Sequence, residues 1–141
     1  MSVRRKHRGK GFSLVEIMIV IVIIGLLAGL VTVNVRSYLA KAKQNAARQE
    51  IATIVKALET FYASYSRYPT NEEGLDILIK PSTKFPEPLL SGGLTDPWGR
   101  IYQYNAPGSV GPYEVISFGE DGQEGGEGVN ADVTSDQLKE E

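Results

Sequence analysis

Residues 9–20 read GKGFSLVEIMIV, and the residue that decides their meaning is Glu16. It stands near the start of an apolar run in which Ile17 to Val31 carries no polar side chain. From Phe12 to Val35 the only polar side chains are Ser13, Glu16, Thr32 and Asn34. A helix of about 20 residues covers the roughly 30 Å hydrocarbon core of a bilayer, so this run is long enough to span one. A carboxylate carried to the bilayer centre would cost about 2–3 kcal/mol. Glu16 therefore needs a partner.

On the amino-terminal side, residues 1–11 hold Arg4, Arg5, Lys6, Arg8 and Lys10 and no acid. A positive head next to an apolar run keeps that end in the cytoplasm. A cleaved secretory signal would have the same outline, but no small-x-small site follows the run, and the helical pattern continues through the place where such a cut would fall. A plain membrane anchor explains length and charge but leaves Glu16 unexplained. A cut between Gly11 and Phe12 accounts for both. It creates an α-amino group on Phe12, four residues before Glu16 and on the same helix face. The carboxylate can then pair with the amine of a neighbouring copy, which makes a buried charge tolerable and sets the register between otherwise uniform apolar helices.

Beyond the run the pattern becomes amphipathic. Ala47, Ile51, Ile54, Val55, Leu58, Phe61, Tyr62 and Tyr65 fall on one helical face, and no proline occurs before Pro69. One helix from about Phe12 to Ser66 is expected, on the order of 80 Å long at 1.5 Å per residue, its first half projecting and its second half packed. Thr70 and Glu73 have capping-box spacing and predict a short second helix through Ile79. Residues 80–95 read as an irregular loop and DPWG (96–99) as a turn, with Gly99 free to take a positive φ. Arg100–Tyr104 and Tyr113–Phe118 read as two strands of a hairpin lying on the amphipathic helix, and the tail SDQLKEE as frayed. The fold class is α+β: a long helix carrying a short second helix and a small antiparallel sheet on its carboxy-terminal half.

Composition removes several function classes. With the leader set aside, ten basic residues face 17 acidic ones, so no basic surface is available for nucleic acid. There is no cysteine, hence no disulfide framework and no thiolate metal site. The single histidine, His7, leaves with the leader, and no nucleophile–base pair or phosphate loop is visible, so an enzyme is not expected. Trp98 reads as a core plug, Tyr62, Tyr65 and Tyr68 as helix–sheet packing, and Lys41 and Lys43 as contacts to headgroups or to acids of a neighbouring copy. Between Ile101 and Leu138 lie seven acids (Glu114, Glu120, Asp121, Glu124, Glu127, Asp132, Asp136) and no lysine or arginine. That is either a solvated acidic loop or, with five glycines between 119 and 128 freeing backbone carbonyls, an oxygen site for Ca²⁺. The D-x-D-x-D-G spacing of an EF-hand is missing.

KGFSLVEIMIVIVIIGLLAGL (10–30) resembles the class III signal of type IV pilins and pseudopilins. RYPTNEEGLDIL (67–78), DPWGRIYQY (96–104) and YEVISFGEDGQEGGEGVNADV (113–133) resemble the major pseudopilin of the type II secretion system. The resemblance implies cleavage by the prepilin peptidase after Gly11, N-methylation of Phe12 and an assembly role for Glu16. It divides the chain into a leader (1–11), a transmembrane and filament-core segment (12–35) and a periplasmic globular domain (36–141). It implies a homopolymeric periplasmic fibre that starts from the inner membrane and helps export folded proteins, with minor pseudopilins and an inner-membrane assembly platform as partners. It also implies calcium in the carboxy-terminal loop, with Asp121 and Asp132 at the family's aspartate positions, carbonyls around Ile116 and Ser117 as further ligands and Glu127 a weaker one. Where many members have two adjacent aspartates this chain reads Asn130-Ala131-Asp132, so Asn130 or a water stands in for one ligand. Where members often have proline it has Val33, which leaves any stretching of the helix to Gly25, Gly29 and Val31-Thr32-Val33. A type IV pilin or minor pseudopilin fits less well without cysteines. A monomeric membrane-anchored binding domain would give Glu16 no assembly role.

Overall fold

The computed structural model describes residues 9–139, with the side chains of 32–34 left aside. The leader's Arg4, Arg5, Lys6, His7 and Arg8, and the side chain of Val33, lie outside the described residues. The chain forms two units, one ending at Tyr38 and one running from Leu39 onward. Helix α1, Leu14–Tyr65, supplies residues to both.

In the first unit α1 opens on a reciprocal cap. The Glu16 N–H donates to Ser13 Oγ (3.2 Å), and the Ser13 N–H donates to Glu16 Oε2 (3.4 Å). This satisfies two of the amide donors that a helix start leaves free. Among the described residues of this unit the apolar side chains stay exposed: Leu14 is 80% exposed and Leu30 69%. Among the described residues no proline interrupts the helix, and it runs unbroken past Gly25 and Gly29.

The second unit has its own core. From α1, Ala47, Ile51, Ile54, Ala57, Leu58 and Phe61 are buried, at the spacing expected of one helical face. Full burial of each Ile, Leu or Phe contributes about 1.5–3 kcal/mol. Val55 and Tyr65 are partly buried against the cluster, whereas Tyr62 is exposed and stacks on Tyr68. The helix stops where Ser66 adopts φ 55°, three residues ahead of buried Pro69.

The expected capping box at Thr70 is present: the Thr70 N–H donates to Glu73 Oε2 (2.8 Å), and the Glu73 N–H donates to Thr70 Oγ1 (3.2 Å). The α-helix expected after it is not. Gly74, at φ 57° and ψ −161°, breaks the turn, and only a four-residue 3₁₀ helix, Leu75–Leu78, follows. Its Leu75 and Leu78 still reach the core. The irregular segment after it is pinned by a bond from the Leu90 N–H to the Leu78 carbonyl (3.0 Å).

The sheet has three antiparallel strands rather than two: β1 (Gln103–Asn105), β2 (Glu114–Ser117) and β3 (Val133–Thr134), in that order. Tyr104 pairs with Val115, and Ser117 with Val133. β1 starts later than expected because Arg100 is used to close the preceding turn, where its carbonyl accepts the Asp96 N–H (2.7 Å). Ile101 makes only an isolated bridge to Thr95. β3 brings the tail back to the sheet. Ser135 is buried, its hydroxyl accepts the Val115 N–H (3.0 Å), and Gln137–Lys139 form a 3₁₀ turn, so the tail is ordered through Lys139 rather than frayed.

Two tyrosines fasten the sheet end to α1. The Tyr102 hydroxyl donates to Glu50 (2.5 Å), and the Tyr113 hydroxyl donates to Glu59 (2.9 Å). Tyr68 also donates to Glu59 and tilts onto Tyr113, while Tyr65 stacks on Phe61 and bonds Ser82. The tyrosines thus serve packing, as expected, and Trp98 sits half-buried against the core.

Candidate functional site

Two places concentrate the sequence-predicted residues, and they belong to different units. At the amino-terminal one, Gly11 and Phe12 precede α1, and Phe12 is 79% exposed. Nothing lies within 4 Å of where a Cβ on Gly11 would stand, so no contact within the described chain demands a glycine there. Glu16 begins the helix and caps it through Ser13. The Ser13-x-x-Glu16 spacing is the same signal that identifies Thr70–Glu73, but at Ser13 it is masked by the long apolar run, in which the charge of Glu16 is the more conspicuous feature.

The second place is the acidic loop between β2 and β3. Ser117, at the end of β2, is buried, and its hydroxyl donates to Asp96 Oδ2 (2.7 Å), so its side chain is engaged by the DPWG turn rather than by the loop. Asp121 is exposed and accepts the Gln123 N–H at Oδ1 (3.1 Å). The Asn130 carbonyl lies against Gly119 and Gly126, both at positive φ, where a Cβ would collide with it. Asp132 accepts the Gly125 N–H at Oδ2 (2.8 Å), while its Oδ1 is buried without a hydrogen-bond partner. Ladder pairing of Ser117 with Val133 places Ser117 beside the residue that follows Asp132. Among the described residues no three acidic or histidine side chains converge on one point. A cation here would thus rely on carbonyl oxygens together with Asp121 and Asp132. The unpartnered Asp132 oxygen suits such an ion, since a buried carboxylate oxygen without a donor is costly.

Asp96 and Arg100, in the DPWGR turn, were not predicted as site residues. Buried Asp96 accepts the Trp98 and Arg100 N–H groups at Oδ1 (3.0 and 2.9 Å) in addition to the Ser117 hydroxyl. Arg100 donates through Nη1 to the Gly119 carbonyl and through Nη2 to the Glu120 carbonyl, both at 2.9 Å. The available signal was the arginine at the edge of a long stretch lacking any other base.

Ionisation is perturbed where the tyrosines are buried. Desolvation first, then hydrogen bonding to Glu50 and Glu59, raises the Tyr102 and Tyr113 hydroxyls. Desolvation chiefly pushes Tyr104 up to about 12. Glu73 is held down to about 2, mainly by its hydrogen bonds from Arg67.

A long amino-terminal helix with a small antiparallel sheet, headed by a Gly-Phe junction and one carboxylate in an apolar segment, defines a pilin-like subunit. Residues 34–136 match the family "Type II secretion system (T2SS), protein G", and residues 6–32 match the prokaryotic N-terminal methylation motif. Over 136 residues the chain is 40% identical to the type II secretion system core protein G of Pseudomonas aeruginosa, covering 92% of this chain and 96% of that one. It is equally similar to the core protein G of Vibrio cholerae, covering 92% and 93%. The crystal structure of the major pseudopilin from the type 2 secretion system of enterohaemorrhagic Escherichia coli superposes with a TM-score of 0.58 at 28% identity, over 72% of this chain and 93% of that one. The chain belongs to the type II secretion system protein G family, the structural major pseudopilins.

Proposed function

We propose that this pseudopilin is made as a precursor, cut between Gly11 and Phe12 by the prepilin peptidase, N-methylated on Phe12, and polymerised into a periplasmic fibre. The observation that carries the proposal is the methylation motif over residues 6–32, whose part from Leu14 onward lies on α1 with its described apolar side chains exposed. Such a surface is stable only in lipid or against other copies of itself. Before assembly the segment spans the inner membrane with its basic end in the cytoplasm. The assembly platform and minor pseudopilins are the partners that extract and template it.

Glu16 has two tasks in this scheme. Within one chain it caps α1; between chains it pairs with the Phe12 amine of a neighbour. The second task places an ion pair in an apolar bundle, where each charge depends on the other. In the acidic loop, Asp121 and Asp132, with carbonyls near Ser117 and Asn130, hold a calcium ion. When bound, that ion supplies a divalent charge that joins both ends of a loop no disulfide braces.

Glutamine at position 16 separates the two tasks, because it preserves the cap but removes the charge. Glu16→Gln and Glu16→Ala are both expected to insert into membranes and to abolish fibres seen by electron microscopy. Normal fibres from Glu16→Gln would reduce Glu16 to a helix cap and refute the pairing. A monomeric anchored domain would show no fibres with the native residue either.

A further inference from the structure

We propose that Arg100 is a positioning residue for the cation of the acidic loop, an inference that rests on the calcium reading above. The side chain holds two successive carbonyls, Gly119 and Glu120, at 2.9 Å each, with the planar fork of one guanidinium. The Glu120 carbonyl belongs to the peptide plane that leads into Asp121. Because that plane is rigid, fixing its oxygen fixes the direction in which the Asp121 backbone sets out.

Arg100 is itself held. Its N–H is bound by buried Asp96, and the other oxygen of Asp96 takes the hydroxyl of Ser117 at the end of β2. The DPWGR turn therefore grips the loop at two points, the strand end and the carbonyls of Gly119 and Glu120. On the far side the guanidinium is covered by Gly122 at φ 69°, where any Cβ would collide with it. The Gly122 N–H closes a turn onto the Phe118 carbonyl (3.1 Å), and the Glu120 N–H reaches the Val129 carbonyl (3.3 Å). Residues 118–122 are thus clamped between Arg100 and the 3₁₀ turn at Gly128–Asn130, with Asp121 inside the clamped segment.

Charge alone predicts the opposite of this role. A fixed guanidinium repels a nearby divalent cation, so its removal would tighten calcium binding if electrostatics were its only influence. A positioning role predicts weaker binding, by the ten- to hundredfold that loss of a ligand-orienting contact typically causes. The direction of the change therefore separates the two roles.

The test uses the full chain in detergent, with Ca²⁺ affinity measured by isothermal titration at a temperature where the near-ultraviolet signal of Trp98 shows every variant folded. Arg100→Met is expected to bind calcium about tenfold or more weakly. Arg100→Lys, which keeps the charge but cannot span both carbonyls, is expected to fall between it and the native chain. Equal or tighter binding by Arg100→Met overturns the proposal. Hydrogen exchange at residues 119–122 in chelator forms a second arm, with faster exchange expected in Arg100→Met. If the native chain binds no calcium, the metal reading fails; faster exchange in Arg100→Met then still confirms the clamp, and unchanged exchange overturns that too.

Discussion

Leu27 and Leu58 lie on the same helix and carry the same side chain, yet Leu27 is 57% exposed and Leu58 is fully buried. The first unit of this pseudopilin offers an apolar surface that no described residue of that unit covers. The second supplies a cover for its own apolar face from the sheet and from the leucines of the irregular segments. The first thus depends on lipid or on other copies, and the second on its own packing. Substitutions that injure one should spare the other.

The largest separation is expected from alanine at these two leucines. Leu58→Ala should destabilise the globular unit by about 2–5 kcal/mol, read from urea unfolding of the detergent-solubilised chain by Trp98 fluorescence. Leu27→Ala should leave that transition in place. Next comes Asp96→Ala, which strands the Trp98 and Arg100 amides and the Ser117 hydroxyl. A buried donor so stranded costs about 1–3 kcal/mol, and the loss should appear in the same unfolding curve without altering membrane insertion.

Calcium removal should act more locally. With chelator, protease cutting between Gly119 and Asp132 is expected to rise while α1 remains intact. An unchanged digestion pattern would contradict the cation reading of the loop.

The smallest effects concern pH, and both belong to the second unit. Tyr104, raised to about 12, and Tyr102 and Tyr113, also raised, stay protonated in the fold when the unfolded chain would already have lost those protons near pH 10. Their contribution is complete below pH 10 and is lost as pH rises through the folded values, so thermal unfolding should occur at lower temperature as pH climbs from 10 to 12. Glu73, lowered to about 2, works in reverse: its contribution is complete above the ordinary carboxylate range and is lost as pH falls toward 2. Its carboxylate is only partly covered, so this term is minor.

Apolar run length exposed the first half of α1 and periodicity from Ala47 to Tyr65 the second, where the buried face matches at Ala47, Ile51, Ile54, Leu58 and Phe61 but not at exposed Tyr62. The second helix was misjudged because its capping box is real but Gly74 cancels the helix one residue later. β3 was hidden because two residues are too few to show alternation. Glu50 and Glu59 carry no local signal; their tyrosine partners lie more than 50 residues away in sequence, which local spacing does not reveal. A separation of 21 residues likewise concealed Asp96 as the partner of Ser117. By contrast, Gly11, Phe12 and Glu16 stood out without a structure, since a charge in an apolar run is conspicuous in one dimension.

Under the proposed function, the exposed first unit becomes an assembly element only through a cut at Gly11–Phe12. Intact mass spectrometry of the chain extracted from membranes tests this. The expected result is the mass of residues 12–141 plus one methyl group. The mass of the uncut chain, or of a chain cut elsewhere, would contradict it.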